Sequence, residues 1–316
     1  MIDQLGRGIE YLRLSVTERC TLKCAYCRSD EGLCPKKQEL SADQLARIAG
    51  SFGSLGINKI RITGGEPLVR RDILDIVRRL AALPGIEEIA MTTNAQQLPG
   101  NSAALKHAGL NRLNISIDSL QPDRYERMTG GGNLRHVLTG IQEAIHCGLL
   151  PLKLNAVLMR GVNDDEIDAF IALAKDSPVD IRFIELMPMG QAVDMTKRIP
   201  TEEILAAHPY LKPLPPRYPS QPSSDYTADG YVGRIGFISP ISHQFCGKCN
   251  RVRVMSDGML RPCLGDNREI SLLKALAQGE DALRQTIYAA VYDKPAGHAF
   301  AREGFSSTKN MSRIGG

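Results

Sequence analysis

Residues 11–27 read YLRLSVTERCTLKCAYC, a short alternating run that leads into three closely spaced cysteines. The alternation of Leu12, Leu14 and Val16 with Arg13 and Ser15 predicts a strand over 11–16. Cys20, Cys24 and Cys27 follow directly, with three and then two residues between them. Three thiolates on one tight loop can hold three irons of a 4Fe–4S cube, which leaves the fourth iron open to a ligand from outside the protein. The other readings are a zinc knob and incidental thiols. A structural zinc takes four protein ligands, and no His lies near this loop.

Working outward, the strand at 11–16 is the first of six. Runs at 59–63, 89–93, 112–117, 152–158 and 181–186 also read as strands. Amphipathic stretches at 42–55, 73–83, 103–108, 134–147 and 165–175 lie between them. Ser41 is a candidate N-cap for the first of these and Asp164 for the last. Repeated strand–helix units imply an α/β fold with a parallel sheet wound in one direction. About six strands fall short of the eight of a closed barrel, so an incomplete, open β/α barrel is expected over 1–195. Ligands of such sheets gather at the C-terminal ends of the strands. The distinctive residues fall there: the cysteine loop after the first strand, Gly64-Gly65-Glu66-Pro67 after the second, Thr92-Thr93-Asn94 ending the third, and Ser116 and Asp118 ending the fourth.

A C-terminal region over 196–316 departs from this pattern. Its KPLPPRYPSQP stretch, 212–222, is too rich in proline for helix or central strand and reads as a linker or an extended wrap across the barrel. Three more cysteines follow, Cys246, Cys249 and Cys263, with two and then thirteen residues between them. They fit either a second open cluster or a zinc ribbon completed by His243, and spacing alone does not choose. Of the remaining cysteines, Cys147 reads as a small core residue and Cys34 as a loop thiol. The last residues, 305–316, are polar, end in Gly315-Gly316 and have the composition of a flexible tail.

Composition narrows the class. A chain of 316 residues with 43% hydrophobic and 23% charged residues can build a core without staples. A net charge of only +4, no Trp and few aromatics argue against a nucleic-acid surface built on stacking. No stretch approaches the roughly 20 apolar residues that span a bilayer, and the N-terminus lacks a signal-peptide pattern. The expected location is the cytoplasm, where thiols stay reduced and clustered cysteines are metal ligands more often than disulfides.

The cysteine loop with Tyr26 before its last Cys, together with GGEP at 64–67, resembles the radical S-adenosylmethionine superfamily. The series RLSVTERC, RITGGEPLVRRD, NISIDSL, RFIELMPMG, FCGKCNRVRV and a terminal Gly-Gly is similar to the GTP 3′,8-cyclase family of molybdenum-cofactor biosynthesis, over nearly the whole chain. The resemblance implies two 4Fe–4S clusters, one on Cys20, Cys24 and Cys27 and one on Cys246, Cys249 and Cys263. It implies S-adenosylmethionine against Tyr26, Gly65, Ser116 and Met187. It implies GTP against Arg13, Arg61, Thr92, Lys153, Arg251, Val252 and Arg253. The implied reaction has a 5′-deoxyadenosyl radical take the ribose 3′ hydrogen, after which the 3′ carbon joins C8 of guanine. Arg251, Arg253, Gly315 and Gly316 are implied to support catalysis beside the first thiolate trio. The resemblance also implies an electron donor and an enzyme for the next step as partners, and is compatible with a homodimer.

Departures from the family pattern are Arg28-Ser29 after Cys27, Ala95 in place of a glycine, and Arg313 in the tail. A peptide-modifying maturase would carry more C-terminal cysteines. An iron–sulfur electron carrier or redox sensor would need neither GGEP nor arginines inside strands.

Overall fold

A computed structural model describes residues 1–27, 39–189, 193–300, 307 and 309–315. Arg28, Ser29, Cys34 and Gly316 lie outside the described residues. Strands β1 (Tyr11–Ser15), β2 (Lys59–Thr63), β3 (Glu88–Thr93), β4 (Arg112–Ser116), β5 (Leu152–Val157) and β6 (Val179–Ile184) lie side by side in that order and run parallel. Helices α1 (Ala42–Ser54), α2 (Ile73–Ala81), α3 (Ser102–His107), α4 (Pro122–Thr129), α5 (Leu134–His146) and α6 (Ile167–Asp176) connect them.

Each strand turns one set of side chains to the helices and the other to the lumen, because successive residues point to opposite faces. Leu12, Leu14, Ile60 and Ile62 are wholly buried and share a core with Leu45, Ile48 and Phe52 of α1 and Ile76, Val77 and Leu80 of α2. Burying each such aliphatic side chain stabilises by roughly 1.5–3 kcal/mol. Ser41 caps α1 in a capping box: Gln44 N donates to Ser41 Oγ at 3.2 Å, and Ser41 N donates to Gln44 Oε1 at 3.0 Å. Asp164 does not cap α6. The helix starts at Ile167, after a 3₁₀ turn, and Asp164 instead accepts from Gly161 N at 2.9 Å.

The six expected strands form the middle of a wider sheet. The C-terminal region contains α7 (Thr201–Ala207), β7 (Lys212–Pro213), β8 (Ser224–Thr227), β9 (Ile235–Ile238), β10 (Arg251–Val254), β11 (Met259–Arg261), β12 (Ile270–Ser271), α8 (Leu272–Gln278), α9 (Glu280–Tyr292) and α10 (Met311–Ile314). β9 pairs parallel with β6, and β10 parallel with β1, so eight parallel strands line the barrel. Antiparallel β8–β7 and β11–β12 finish the two edges. Among the described residues β7 and β12 do not pair, so the sheet remains open. The proline-rich stretch is an extended wrap: its first two residues form edge strand β7, Arg217 pairs with Asp180 at 2.6 Å, and Tyr218, Ser220 and Pro222 face the barrel cavity.

Candidate active site

Lumen-facing side chains and the loops at the strand ends enclose a cavity of about 320 Å³. Both cysteine trios line it: Cys20, Cys24 and Cys27 on one side, Cys246, Cys249 and Cys263 on the other. The first trio sits on a tight loop, with Cys27 N donating to Cys24 O at 3.0 Å. Cys20 Sγ accepts from Leu22 N at 3.4 Å and from Asn94 Nδ2 at 3.6 Å. Burial, then Asp118 and the other two thiols, push the Cys24 thiol well up. Three cysteines on one short loop are the donor set an iron–sulfur cube takes when they ionise.

The loop is held from below by the GGEP turn. Gly65 N donates to Thr17 O at 2.8 Å and Glu66 N to Arg19 O at 2.7 Å. A Cβ on Gly65 would lie 2.3 Å from Arg19 O, so only glycine permits this approach. Glu66 is wholly buried and ties β2 to β3: its carboxylate accepts from Asn94 N and Thr93 Oγ1, each at 2.7 Å, and from Leu68 N at 3.0 Å. Burial outweighs these bonds and raises its pKa to about 7. Tyr26 Oη donates to Asp118 at 2.7 Å, and Asp118 also accepts from Val157 N at 2.9 Å, so β4 and β5 fix the ring beside the trio. Burial brings Asp118 up to about 6.

Arginines crowd the lumen nearer the starts of the strands. Arg13 pairs in register with Arg61 on one side and Arg253 on the other. Burial, then Arg253 and Arg61, hold the Arg13 guanidinium well below its usual range, and burial followed by Arg251 brings Arg253 down to about 10. Arg61 donates to Tyr11 Oη at 2.6 Å, and Arg251 lies over the Phe245 ring at 4.9 Å. Two buried nitrogens of Arg251, with Thr92 Oγ1, Asn114 Nδ2 and Asn155 Oδ1, have no hydrogen-bond partner among the described residues. Buried polar atoms normally find partners, so this set forms a cradle for a polar, anionic ligand.

Ser116 and Met187 also line the cavity. Lys153 does not. It is 3% exposed and sits on the lumen face of β5, one pleat before Asn155, where burial and then Arg182, Arg112 and Arg61 lower it to about 6. The Val252 side chain does not reach the cavity. The alternation that turns Arg251 and Arg253 inward sends its side chain into the core, 1% exposed, leaving only its backbone for a ligand.

The tail is docked. Ile314 packs with Met189 and Phe300, Arg253 Nη1 donates to Gly315 O at 2.5 Å, and Arg313 lies 3.6 Å from Glu18. Composition misled here because a short apolar anchor suffices to seat a polar end. Cys147 caps the end of α5 half-buried, at a shallow surface pocket and not in the core. Exposed His243 pairs with Glu202 and is not part of the cavity wall, so it is not placed to complete a zinc ribbon there.

Residues that the motif reading missed include Arg182, Asn114 and Asn155. Asn114 shares the lumen-facing parity of β4 with Ser116 and Asn155 that of β5 with Lys153, and Arg182 is the partner in register of Asn155 on β6.

An open β/α barrel with a three-cysteine loop after its first strand and a GGEP turn after its second bears the marks of the radical SAM class. The sequence model of the Radical SAM superfamily matches residues 14–174, and that of Molybdenum Cofactor Synthesis C matches 179–300. A GTP 3′,8-cyclase of Alkaliphilus oremlandii is 46% identical over 321 residues, and one of Moorella thermoacetica 44% over 325, each covering all of both chains. The chain therefore belongs to the GTP 3′,8-cyclase family of the radical SAM superfamily. Streptococcus suis SuiB bound to precursor peptide SuiA superimposes with a TM-score of 0.64 at 15% identity, over 92% of this chain and 66% of that one. That likeness concerns the fold alone.

Proposed function

We propose that the chain cyclises GTP to 3′,8-cyclo-7,8-dihydro-GTP, the first step of molybdopterin synthesis, with S-adenosylmethionine and two 4Fe–4S clusters. One observation supports this above the others: two groups of three cysteines and a crowd of buried and half-buried arginines face one cavity. Cys20, Cys24 and Cys27 would hold the first cluster, and Cys246, Cys249 and Cys263 the second. When bound, the first cluster and S-adenosylmethionine supply the radical chemistry that removes a ribose hydrogen atom.

The protein supplies position and charge. Gly65 brings bare backbone against the cofactor, Ser116 offers a hydroxyl, and Asp118 holds the Tyr26 ring in place. Arg13, Arg61, Arg251 and Arg253 receive the triphosphate, since guanidinium forks match phosphate oxygens. Thr92 offers a hydroxyl to the substrate, and Lys153 adds a charge once the triphosphate draws a proton to it. Met187, beside the apolar group of Met189, Phe300 and Ile314, keeps water from the reacting carbons. Gly315 carries the tail to Arg253, and Gly316 supports catalysis with it. The reaction draws on an external electron donor and passes its product to the next enzyme of the pathway. It takes place in the cytoplasm, in a monomer or a homodimer.

The test is anaerobic turnover of reconstituted protein with reductant, S-adenosylmethionine and each of several nucleotides. The expected result is 5′-deoxyadenosine and a cyclised product with GTP alone. Equal turnover of ATP, or 5′-deoxyadenosine without any nucleotide product, overturns the proposal.

A further inference from the structure

The second cysteine group sits against the stretch 294–300, KPAGHAF, of which only Phe300 has a role in the proposed reaction. A Cβ on Gly297 would lie 3.8 Å from Cys246 Sγ. Ala299 N donates at 3.0 Å to the carbonyl of Gly265, just past Cys263. Lys294 heads the stretch. It is 2% exposed, lines the cavity, and donates from Nζ at 2.5 Å to the carbonyl of Pro262, the residue before Cys263. Arg7 braces the assembly from the other end of the chain. Its guanidinium donates to the carbonyls of Cys246, Lys294, Pro295 and Ala296, and Asp3 holds it at 2.6 Å.

A buried ammonium is costly unless an opposite charge faces it. Lys294 has no carboxylate within ion-pair distance among the described residues. Its Nζ binds the carbonyl next to Cys263, and it lines one cavity with all three thiols of the trio.

We infer that Lys294 is the counter-charge of the second iron–sulfur cluster, offsetting the negative charge of the three thiolates and thereby easing reduction of that cluster. The inference rests on the two-cluster reading above. A cube on three thiolates is anionic, and one-electron reduction by an external donor adds a further negative charge without making or breaking a bond. A fixed buried cation favours the reduced form, as charge near a cluster shifts its potential. Lys294 acts through the cluster's charge and is a positioning residue, not a catalytic one.

The test compares the reconstituted wild type with Lys294→Gln, which keeps a donor for Pro262 but no charge, and Lys294→Arg, which keeps the charge. Dithionite titration followed by EPR reads the potential of each cluster, the first being identified by its response to S-adenosylmethionine. In Lys294→Gln the second cluster's reduced-to-oxidised ratio at fixed potential should fall about tenfold, a shift of about 59 mV for one electron. The first cluster should not move, and Lys294→Arg should restore the wild-type value. Loss of the second cluster from Lys294→Gln but not from Lys294→Arg supports the same conclusion. An unchanged potential in Lys294→Gln, or loss of the second cluster from both variants, overturns it. A wild type with one cluster per chain overturns the two-cluster reading itself, and this inference with it.

Discussion

Replacing Gly315 by Ala is expected to unseat the C-terminal tail. Gly315 has φ of +80°, in the left-handed region. An L-residue there costs roughly 1–2 kcal/mol. The added methyl would lie 2.5 Å from Thr63 Oγ1 and 3.1 Å from Ser15 Cβ. Thr63 Oγ1 is buried without a hydrogen-bond partner among the described residues, so the side chain can turn aside without losing a bond. That turn costs roughly 0.5–1.5 kcal/mol. Together these come to about 1.5–3.5 kcal/mol, which shifts the equilibrium between seated and released tail by about 10- to 400-fold. The bond from Arg253 to Gly315 O, the Arg313–Glu18 pair and the burial of Ile314 remain to oppose release.

Carboxypeptidase trimming of the ligand-free protein reads this directly, because digestion tracks the open population when opening is fast relative to cleavage. Trimming of Gly315→Ala should accelerate by the same factor. In reconstituted enzyme, turnover should fall while iron content holds, and a peptide copying 305–316 added in trans should restore part of it. Trimming at the wild-type rate would refute the seating of Gly315 against Thr63.

Four further outcomes are expected. Alanine at Cys20, Cys24 or Cys27 should abolish S-adenosylmethionine cleavage, whereas alanine at Cys246, Cys249 or Cys263 should halve the iron content and spare the first cluster. Stoichiometric zinc in the wild type would contradict this. Arg251→Ala and Arg253→Ala should each weaken GTP binding by roughly 1.5–3 kcal/mol, more than S-adenosylmethionine binding, as measured by calorimetry; equal loss of both would mean a folding defect. Ala95→Gly removes a non-glycine residue at φ of +59°. That relief of roughly 1–2 kcal/mol is offset by the lost buried methyl and the freer unfolded chain, so denaturant stability should stay within about 1 kcal/mol of wild type. Lys153, lowered by burial to about 6, binds a proton in the unfolded chain but not the folded one between that pH and 10.5. Stability of the ligand-free protein should therefore rise with pH across that window by about 1.4 kcal/mol per unit. Lys153→Met should flatten the slope in denaturation curves, and a slope left unchanged would rule the assignment out.

What was legible in the sequence was what is local. β1 to β6 follow from alternation and length, and the N-cap at Ser41 from its place just before the first amphipathic stretch. β9 and β10 were not legible as barrel strands. Each is four residues long, and β10 finds β1 across most of the chain, so no local pattern announces the pairing. α4 was missed because Pro122 to Thr129 is mostly polar and buries only Tyr125, Met128 and Thr129. Val252 was counted as a site residue because a motif is contiguous while a strand face is not. Lys294 lay hidden for a similar reason: its backbone is held by Arg7, at the other end of the chain, and neither residue belongs to a cysteine motif.

The lumen arginines carry an argument that no single motif carries. An arginine inside a strand is ordinarily a solvated edge charge or one half of an ion pair. Arg112 meets that expectation, since Glu88 accepts from it at 2.7 Å. Arg13 has Arg253 and Arg61 beside it, and Arg253 has Arg251, so like charges make one another costlier to keep. Hydrophobic residues of similar length would give a more stable barrel at those positions. A fold retains such a cluster when a ligand of high negative charge repays the repulsion on binding, and a triphosphate meets that demand. The tail answers the same demand in part, because the carbonyl of Gly315 is the acceptor presented to Arg253. If Arg253 receives the triphosphate as proposed, tail and substrate address the same guanidinium group, and the seating of the chain's end then depends on the substrate's phosphates.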